Sequence, residues 1–262
     1  MKYLLSIEFA KLRKLTSIKV IFLIYMVMVP LLIYSLGYIL GQTNLPFLPT
    51  SKEFWSFPLV WKFTTYCASY FNVLMGVIIV IITCNEFTNR TLKQNIIDGL
   101  SKKETILSKY MIIVLVSIVI TIFTAIIAFI YGVINSVEID LFKNAHFIFI
   151  YFIQTLCYFS FAFFFAVLVK KSAMSILFFI LSFLFETIIG AFLPKIIYQF
   201  FPLNVFSKLT PIPFMEEFIK QATKGTGEVI PIMELPSIIV LSMIYMLVFV
   251  VIAFQVLKKR DL

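Results

Sequence analysis

The sequence predicts an all-α integral membrane protein with six transmembrane helices, and three observations carry that prediction. Six long apolar stretches, Val20–Leu40, Phe63–Cys84, Tyr110–Ile134, Phe147–Val169, Ser172–Leu193 and Leu235–Leu257, are separated by charged connections. Each reaches the roughly 20 residues a helix needs to cross the hydrocarbon core. Hydrophobic residues make up 61% of the 262 and charged residues 13%, against about 25% charged in soluble domains; the chain is too apolar to stay dissolved as a globule. Backbone groups in lipid have no water partner, which leaves helices or a closed barrel. Barrel strands alternate apolar and polar residues over about 10 positions, and Met111–Val116 (MIIVLV) does not alternate. Helices remain. Spans and connections consume nearly the whole length, so one membrane domain over residues 1–262 is expected.

The first element is a basic, helix-compatible segment, Met1–Ser17. Leu5, Phe9 and Leu12 fall at i, i+4 and i+7, one apolar stripe, beside Lys2 and Arg13. Two readings fit: a helix lying in the membrane interface before the chain turns inward, or a basic anchor that orients the first span. Glu8, Lys11, Arg13, Lys14 and Lys19 delay the apolar run, which then continues too long for the core of a cleavable signal peptide.

Between the second and third spans lies Asn85–Lys109, NEFTNRTLKQNIIDGLSKKETILSK. Asp98-Gly99 is a turn signal, and Ser101-Lys-Lys-Glu104 fits a capping box, in which each side chain satisfies an amide at a helix start. A short helix over about Thr91–Ile97 is therefore expected, then a break at Gly99 and a new helix from Ser101 into the third span. With Glu86, Arg90, Lys93 and Asp98 exposed, such a helix can press against a soluble partner; an ordinary charged hairpin loop is the plainer reading.

Charge sets the orientation. The N-terminal segment, the 85–109 connection, the 170–171 turn and the C-terminus hold fifteen of the 22 basic residues and five of the 13 acids. The opposite connections, residues 41–62, 135–146 and 194–234, balance to zero net charge. By the positive-inside rule the basic side is cytoplasmic and both termini lie there. The net charge of +9 is thus a topology signal, and a nucleic-acid partner is not expected.

The outer side is dominated by residues 194–234. Ile196–Phe206 (IIYQFFPLNVF) is too apolar for a free loop and too short, with Pro202 inside it, to span. A re-entrant hairpin, whose backbone protein must bury, is favoured over an aromatic belt at headgroup level.

Glu186 is the one charge within a span. An ionised carboxylate at the bilayer centre costs at least about 2.5 kcal/mol, so it should face the bundle interior or water. It lies about 21 Å along the helix from Ser172, in the outer half. No span offers a cation, which leaves Asn72, Gln154 and Ser182 as polar partners. A substrate-path residue and a helix-to-helix hydrogen-bonding residue are both open readings, with Glu186, Asn72 and Gln154 as the candidate path. His146 is the single histidine, so it completes no metal site. Cys67, Cys84 and Cys157 show no paired spacing and read as small buried hydrophobes.

Glu86-Phe-Thr-Asn-Arg90-Thr91-Leu-Lys93, followed by Gly99, Ser101 and Lys109, resembles the E-x-x-x-R/G-T segment and downstream lysine of ABC-2 type transporter permeases. Glu8-Phe-Ala-Lys11-Leu-Arg13-Lys14 resembles the opening of the same family, whose small six-span members include lantibiotic-immunity, bacitracin-resistance and sodium-export permeases. The resemblance covers nearly the whole chain in layout and is motif-like over residues 4–17 and 85–109. It implies an elbow helix carrying Glu8, Lys11, Arg13 and Lys14. It also implies a coupling segment in which Glu86, Arg90, Thr91 and Lys93 meet an ATPase subunit, and short exofacial helices between spans five and six.

No G-x-x-x-x-G-K-[ST] phosphate loop is present; Lys224-Gly-Thr-Gly-Glu228 has the glycines without the spacing. The resemblance therefore implies that this chain binds no cofactor, that ATP and Mg reside on a partner subunit, and that the chain is not itself an enzyme. It further implies a second permease copy or sibling as partner, export across the plasma membrane, and a lipid setting. Two rivals stand against it. A non-transporting membrane scaffold or immunity factor fits the same spans. An intramembrane protease is suggested by Glu216-Glu217-Phe-Ile-Lys220, but that pair lies in a loop and the chain has only one histidine.

Overall fold

In the computed structural model the apolar stretches form helices close to the bounds set by hydropathy, with one exception. The structure describes residues 16–42, 49–89, 91, 94, 97, 101–136, 140–213 and 233–259, without side chains at 51, 102, 103, 105 and 106. The expected elbow residues Glu8, Lys11, Arg13 and Lys14, together with Arg90, Lys93, the Asp98-Gly99 turn and the Glu216-Glu217 pair, lie outside the described residues.

Ten helices are described: α1 Thr16–Gln42, α2 Ser51–Phe54, α3 Leu59–Ser69, α4 Asn72–Thr88, α5 Lys102–Asn135, α6 His146–Val169, α7 Ser172–Phe192, α8 Lys195–Tyr198, α9 Pro202–Ser207 and α10 Leu235–Lys259. No strand occurs among the described residues. Five helices (α1, the Leu107–Asn135 part of α5, α6, α7 and α10) are long and apolar enough to cross a membrane. The chain is a multi-pass membrane protein whose regular structure, among the described residues, is all helical.

The exception is the second span. Hydropathy predicts one unbroken helix over residues 63–84; the structure has α3 and α4, bent by 48° at Tyr70-Phe71, which meet the length and hydropathy of a span only together. Local polar bonding surrounds the break. Thr65 Oγ1 bonds back to the Trp61 and Lys62 carbonyls at 2.8 and 3.0 Å, and Ser69 Oγ donates to Tyr66 O at 2.7 Å. Such back-bonding bends helices, and Asn favours helix starts over helix interiors. Asn72 is the first residue of α4.

Helix α6 is the hub. Two-thirds (67%) of its apolar window is buried, against 17% for α7 and α10, because it packs on α4, α5, α7 and α10 together. Ala162 and Ala166 keep its surface low where neighbours approach, and Phe159 and Phe163 fill the core between. Gly76 of α4 is required here: a Cβ would sit 2.6 Å from the Phe179 ring of α7. On α1, Tyr25, Val29, Ile33 and Gly37 recur every four residues as the buried stripe. The opposite faces of α1, α7 and α10 expose Leu23, Leu31, Phe185 and Leu247, as lipid-facing surfaces do.

One end of the bundle carries Lys19, Lys109, Lys170, Lys171, Lys258 and Lys259 and is called the basic end below. The far end is closed by residues 49–61. Trp55 stacks on Tyr34 at 5.4 Å, the Phe57 amide donates to Ser136 Oγ at 2.7 Å, and Trp61 Nε1 donates to Leu141 O at 3.0 Å.

Candidate functional site

At the basic end, α4 and α5 are joined by a buried ion pair. Glu86 lies in the last turn of α4 and Lys109 in the second turn of α5; Lys109 Nζ donates to Glu86 Oε1. Both are nearly inaccessible, at 5% and 4% exposure. This corrects the expectation that Glu86 stands exposed on a docking face. The end of α4 is wedged between α6 and α7: Cys84 Sγ approaches Ala166 O at 3.8 Å and Ser175 Oγ at 3.5 Å, and Lys170 Nζ lies 5.6 Å from the centre of the Phe87 ring. Spacing along one helix cannot reveal such enclosure. A signal was nevertheless present, since opposite charges mark the end of one span and the start of the next.

The capping box is formed as expected. The Glu104 amide donates to Ser101 Oγ at 3.2 Å and the Ser101 amide to Glu104 Oε2 at 2.9 Å, which starts α5 at Lys102. Ser101 Oγ also donates to Glu104 Oε2 at 2.7 Å; that hydroxyl and then the Ser101 amide hold the Glu104 carboxyl below its ordinary pKa. Between the ion pair and this cap, Thr91, Gln94 and Ile97 are helical, one helical turn apart. Gln94 is exposed and Ile97 is 69% exposed. An apolar side chain and a polar one thus face outward from a segment whose flanks are fastened to two spans.

At the far end, the 195–210 stretch folds back on the bundle as α8 and α9, with Leu203, Val205, Phe206 and Leu209 buried. Three spans hold it. Glu186 of α7 accepts from the amides of Leu203 at 3.1 Å and Asn204 at 2.6 Å, capping the first turn of α9. Gln154 of α6 donates to Phe206 O at 2.8 Å and Thr210 Oγ1 at 2.9 Å. Tyr245 of α10 donates to Phe200 O at 2.6 Å.

The partners expected for Glu186 therefore need correction: it bonds neither Asn72 nor Gln154, and Ser182 donates instead to Phe179 O. Backbone amides meet the carboxylate because Pro202 opens a helix whose first free N–H groups point at it. Glu186 also borders a groove of about 370 Å³ lined by Phe165, Phe178, Phe185 and Phe201.

Asn72 lies elsewhere, in a buried polar cluster at the span-2 break. Tyr151 donates to its Oδ1 at 3.2 Å and Thr155 at 3.4 Å. The Tyr25 hydroxyl joins Tyr151 at 3.2 Å and Thr124 at 3.1 Å. The sequence reading missed the two tyrosines, which are fully buried inside apolar runs. The three candidate path residues therefore occupy two settings: Glu186 and Gln154 hold the far-end hairpin, and Asn72 sits in the core. No group of three or more potential metal ligands occurs among the described residues, and Cys67, Cys84 and Cys157 are buried and free.

A family model described as a protein of unknown function, DUF2705, matches residues 18–262. No curated protein matches the chain.

Proposed function

We propose that this chain, which belongs to the DUF2705 family, is the membrane-spanning subunit of an ABC-2 type exporter driven by a separate ATPase subunit. In this reading α3 and α4 count as one span. Six spans then place both termini at the basic end, on the cytoplasmic face of a plasma membrane. The permease pairs with a second copy or a sibling permease, and ATP and Mg bind on the partner subunits.

The supporting observation is the fastening of the 89–101 segment. Glu86 and Lys109 tie the roots of two spans together on one side of it, and the Ser101–Glu104 box starts the third span on the other. A partner that pushes on Gln94 and Ile97 acts on helices that are already linked, so its force reaches the bundle with little slack. ATP-driven closure shifts a permease only through contacts that differ between states, and this face is placed to make them. Arg90 and Lys93 belong to the same segment and would add charge to the docking face, whereas the Thr91 hydroxyl is buried and would support that face from behind. Glu86 takes a different part from the one the resemblance implies: it braces the segment from within.

The far-end hairpin fits the same reading. It is held by one residue from each of α6, α7 and α10, so motion of these spans is transmitted to it. The test is reconstitution with a candidate ABC ATPase subunit, reading co-purification and transport-coupled hydrolysis. A stable complex whose hydrolysis is unaffected by any amphiphile offered would favour the scaffold reading.

A further inference from the structure

We infer that the cleft between α1, α4 and α5 at the basic end seats one acyl chain of an anionic phospholipid, with the headgroup phosphate held by Lys19. The cleft encloses about 470 Å³, within the range of about 300–1,000 Å³ typical of small-molecule sites. Its walls are apolar: Phe22 and Met26 from α1, Ile78 and Ile82 from α4, Leu115 and Val119 from α5. The one charged residue lining it is Lys19, which is exposed.

The order along α1 matches the order along a lipid. Lys19 stands at the basic end, and the apolar wall continues to Met26, about 10 Å further along the helix. In a bilayer such a recess on a lipid-facing surface does not hold water, because no polar group inside would bind it. A Lys at the edge of the apolar zone reaches the headgroup level by extending its amine along its own stem. Anionic lipid gains about 1 kcal/mol from each such cation near the surface, which is about fivefold in affinity.

Charge complementarity selects lipid over a second copy of this chain. The apolar stretches of a second copy offer one carboxylate, Glu186, and it lies toward the far end, capped by α9 amides. A second copy seated in the cleft through an apolar face brings no charge to Lys19 from that face, whereas a lipid carries its phosphate and acyl chain on one molecule. The inference follows from the helices alone and does not depend on an ATPase partner.

The experiment is native mass spectrometry of the purified full chain, titrated with dioleoyl-phosphatidylglycerol or dioleoyl-phosphatidylcholine. About fivefold stronger retention of phosphatidylglycerol is expected. Lys19→Gln should bring the two lipids to equal retention while both still bind. Val119→Trp, which fills the cleft, should lower retention of both lipids; Val119→Phe serves if the larger ring compromises the fold, monitored by thermal unfolding. Equal retention of the two lipids by the native chain would overturn the headgroup assignment, and unchanged retention in the cleft-filling variant would overturn the site. Disulfide formation between copies through Met26→Cys in membranes, with Cys67, Cys84 and Cys157 replaced by alanine, would assign the cleft to a second copy instead.

Discussion

Lys109 and Glu86 form an ion pair between the start of α5 and the end of α4, with neither residue more than 5% exposed. Removing one partner from a buried pair strands the other charge, at about 3–5 kcal/mol, whereas replacing both by apolar residues is often neutral. Glu86→Ala should therefore lower the thermal unfolding midpoint in detergent sharply, and Glu86→Leu with Lys109→Met should recover most of the loss. A single variant as stable as the native chain would show that the pair does not brace α4 and α5.

The outward face of the 89–101 segment is a separate matter. Ile97 is 69% exposed, so Ile97→Asp should change stability by no more than about 0.5 kcal/mol. On the proposed reading it should nevertheless abolish co-purification with the ATPase subunit. Lys143→Glu, at an exposed far-end position, should leave co-purification intact. Full retention of the partner by Ile97→Asp would move the docking face elsewhere.

Glu186 accepts from two amides of α9. Gln in its place keeps one acceptor oxygen. Leu keeps none, and leaves two amides unsatisfied at about 1–3 kcal/mol each. Hydrogen exchange at Leu203 and Asn204 should be modestly faster in Glu186→Gln and much faster in Glu186→Leu. Unchanged protection in the Leu variant would mean that the carboxylate does not hold the hairpin. If the residue also serves the substrate path, transport by Glu186→Gln should fall more than the hairpin loosens.

The start of α5 should respond to acid. Ser101 bonds to the ionised Glu104 and holds its carboxyl below the ordinary value. A depressed folded-state pKa means that the stabilisation is present above the unfolded carboxylate range, near pH 4.3, and is lost as pH falls through the lower folded value. Amide exchange over residues 102–106 should accordingly rise with acidification in the native chain, after correction for intrinsic rates. Glu104→Gln should flatten that rise; an identical pH profile in the variant would contradict the cap's role.

Local signals were legible in the sequence and enclosure was not. Five spans followed from hydropathy to within a few residues, since lipid demands length and apolarity of each helix separately. The Ser101–Glu104 box was legible because both partners lie within four residues. The apolar run around Pro202 gave away the hairpin, since such a stretch cannot lie free in water.

What escaped was whatever depends on the third dimension. Helical spacing put Glu86 and Arg90 on one face but could not say that Lys109 of α5 would close over Glu86. The donors to Glu186 are backbone amides of a segment 17 and 18 residues away, which a sequence does not mark as polar. Hydropathy averages over Thr65, Ser69 and Asn72, so the break among them was not legible in an apolar run, and the partners of Asn72, Tyr151 and Thr155, come from a distant span.

The bend in the second span makes Tyr151 a solvent molecule in all but name. Interrupting a helix inside an apolar bundle releases backbone groups that need other partners. The Ala68 carbonyl at the break receives the Phe71 amide at 3.0 Å and the Tyr151 hydroxyl at 3.5 Å, and the same hydroxyl reaches Asn72 at 3.2 Å. Tyr25 and Thr124 extend that shell by one more layer. At this break, phenols and hydroxyls stand in for water around a fractured helix.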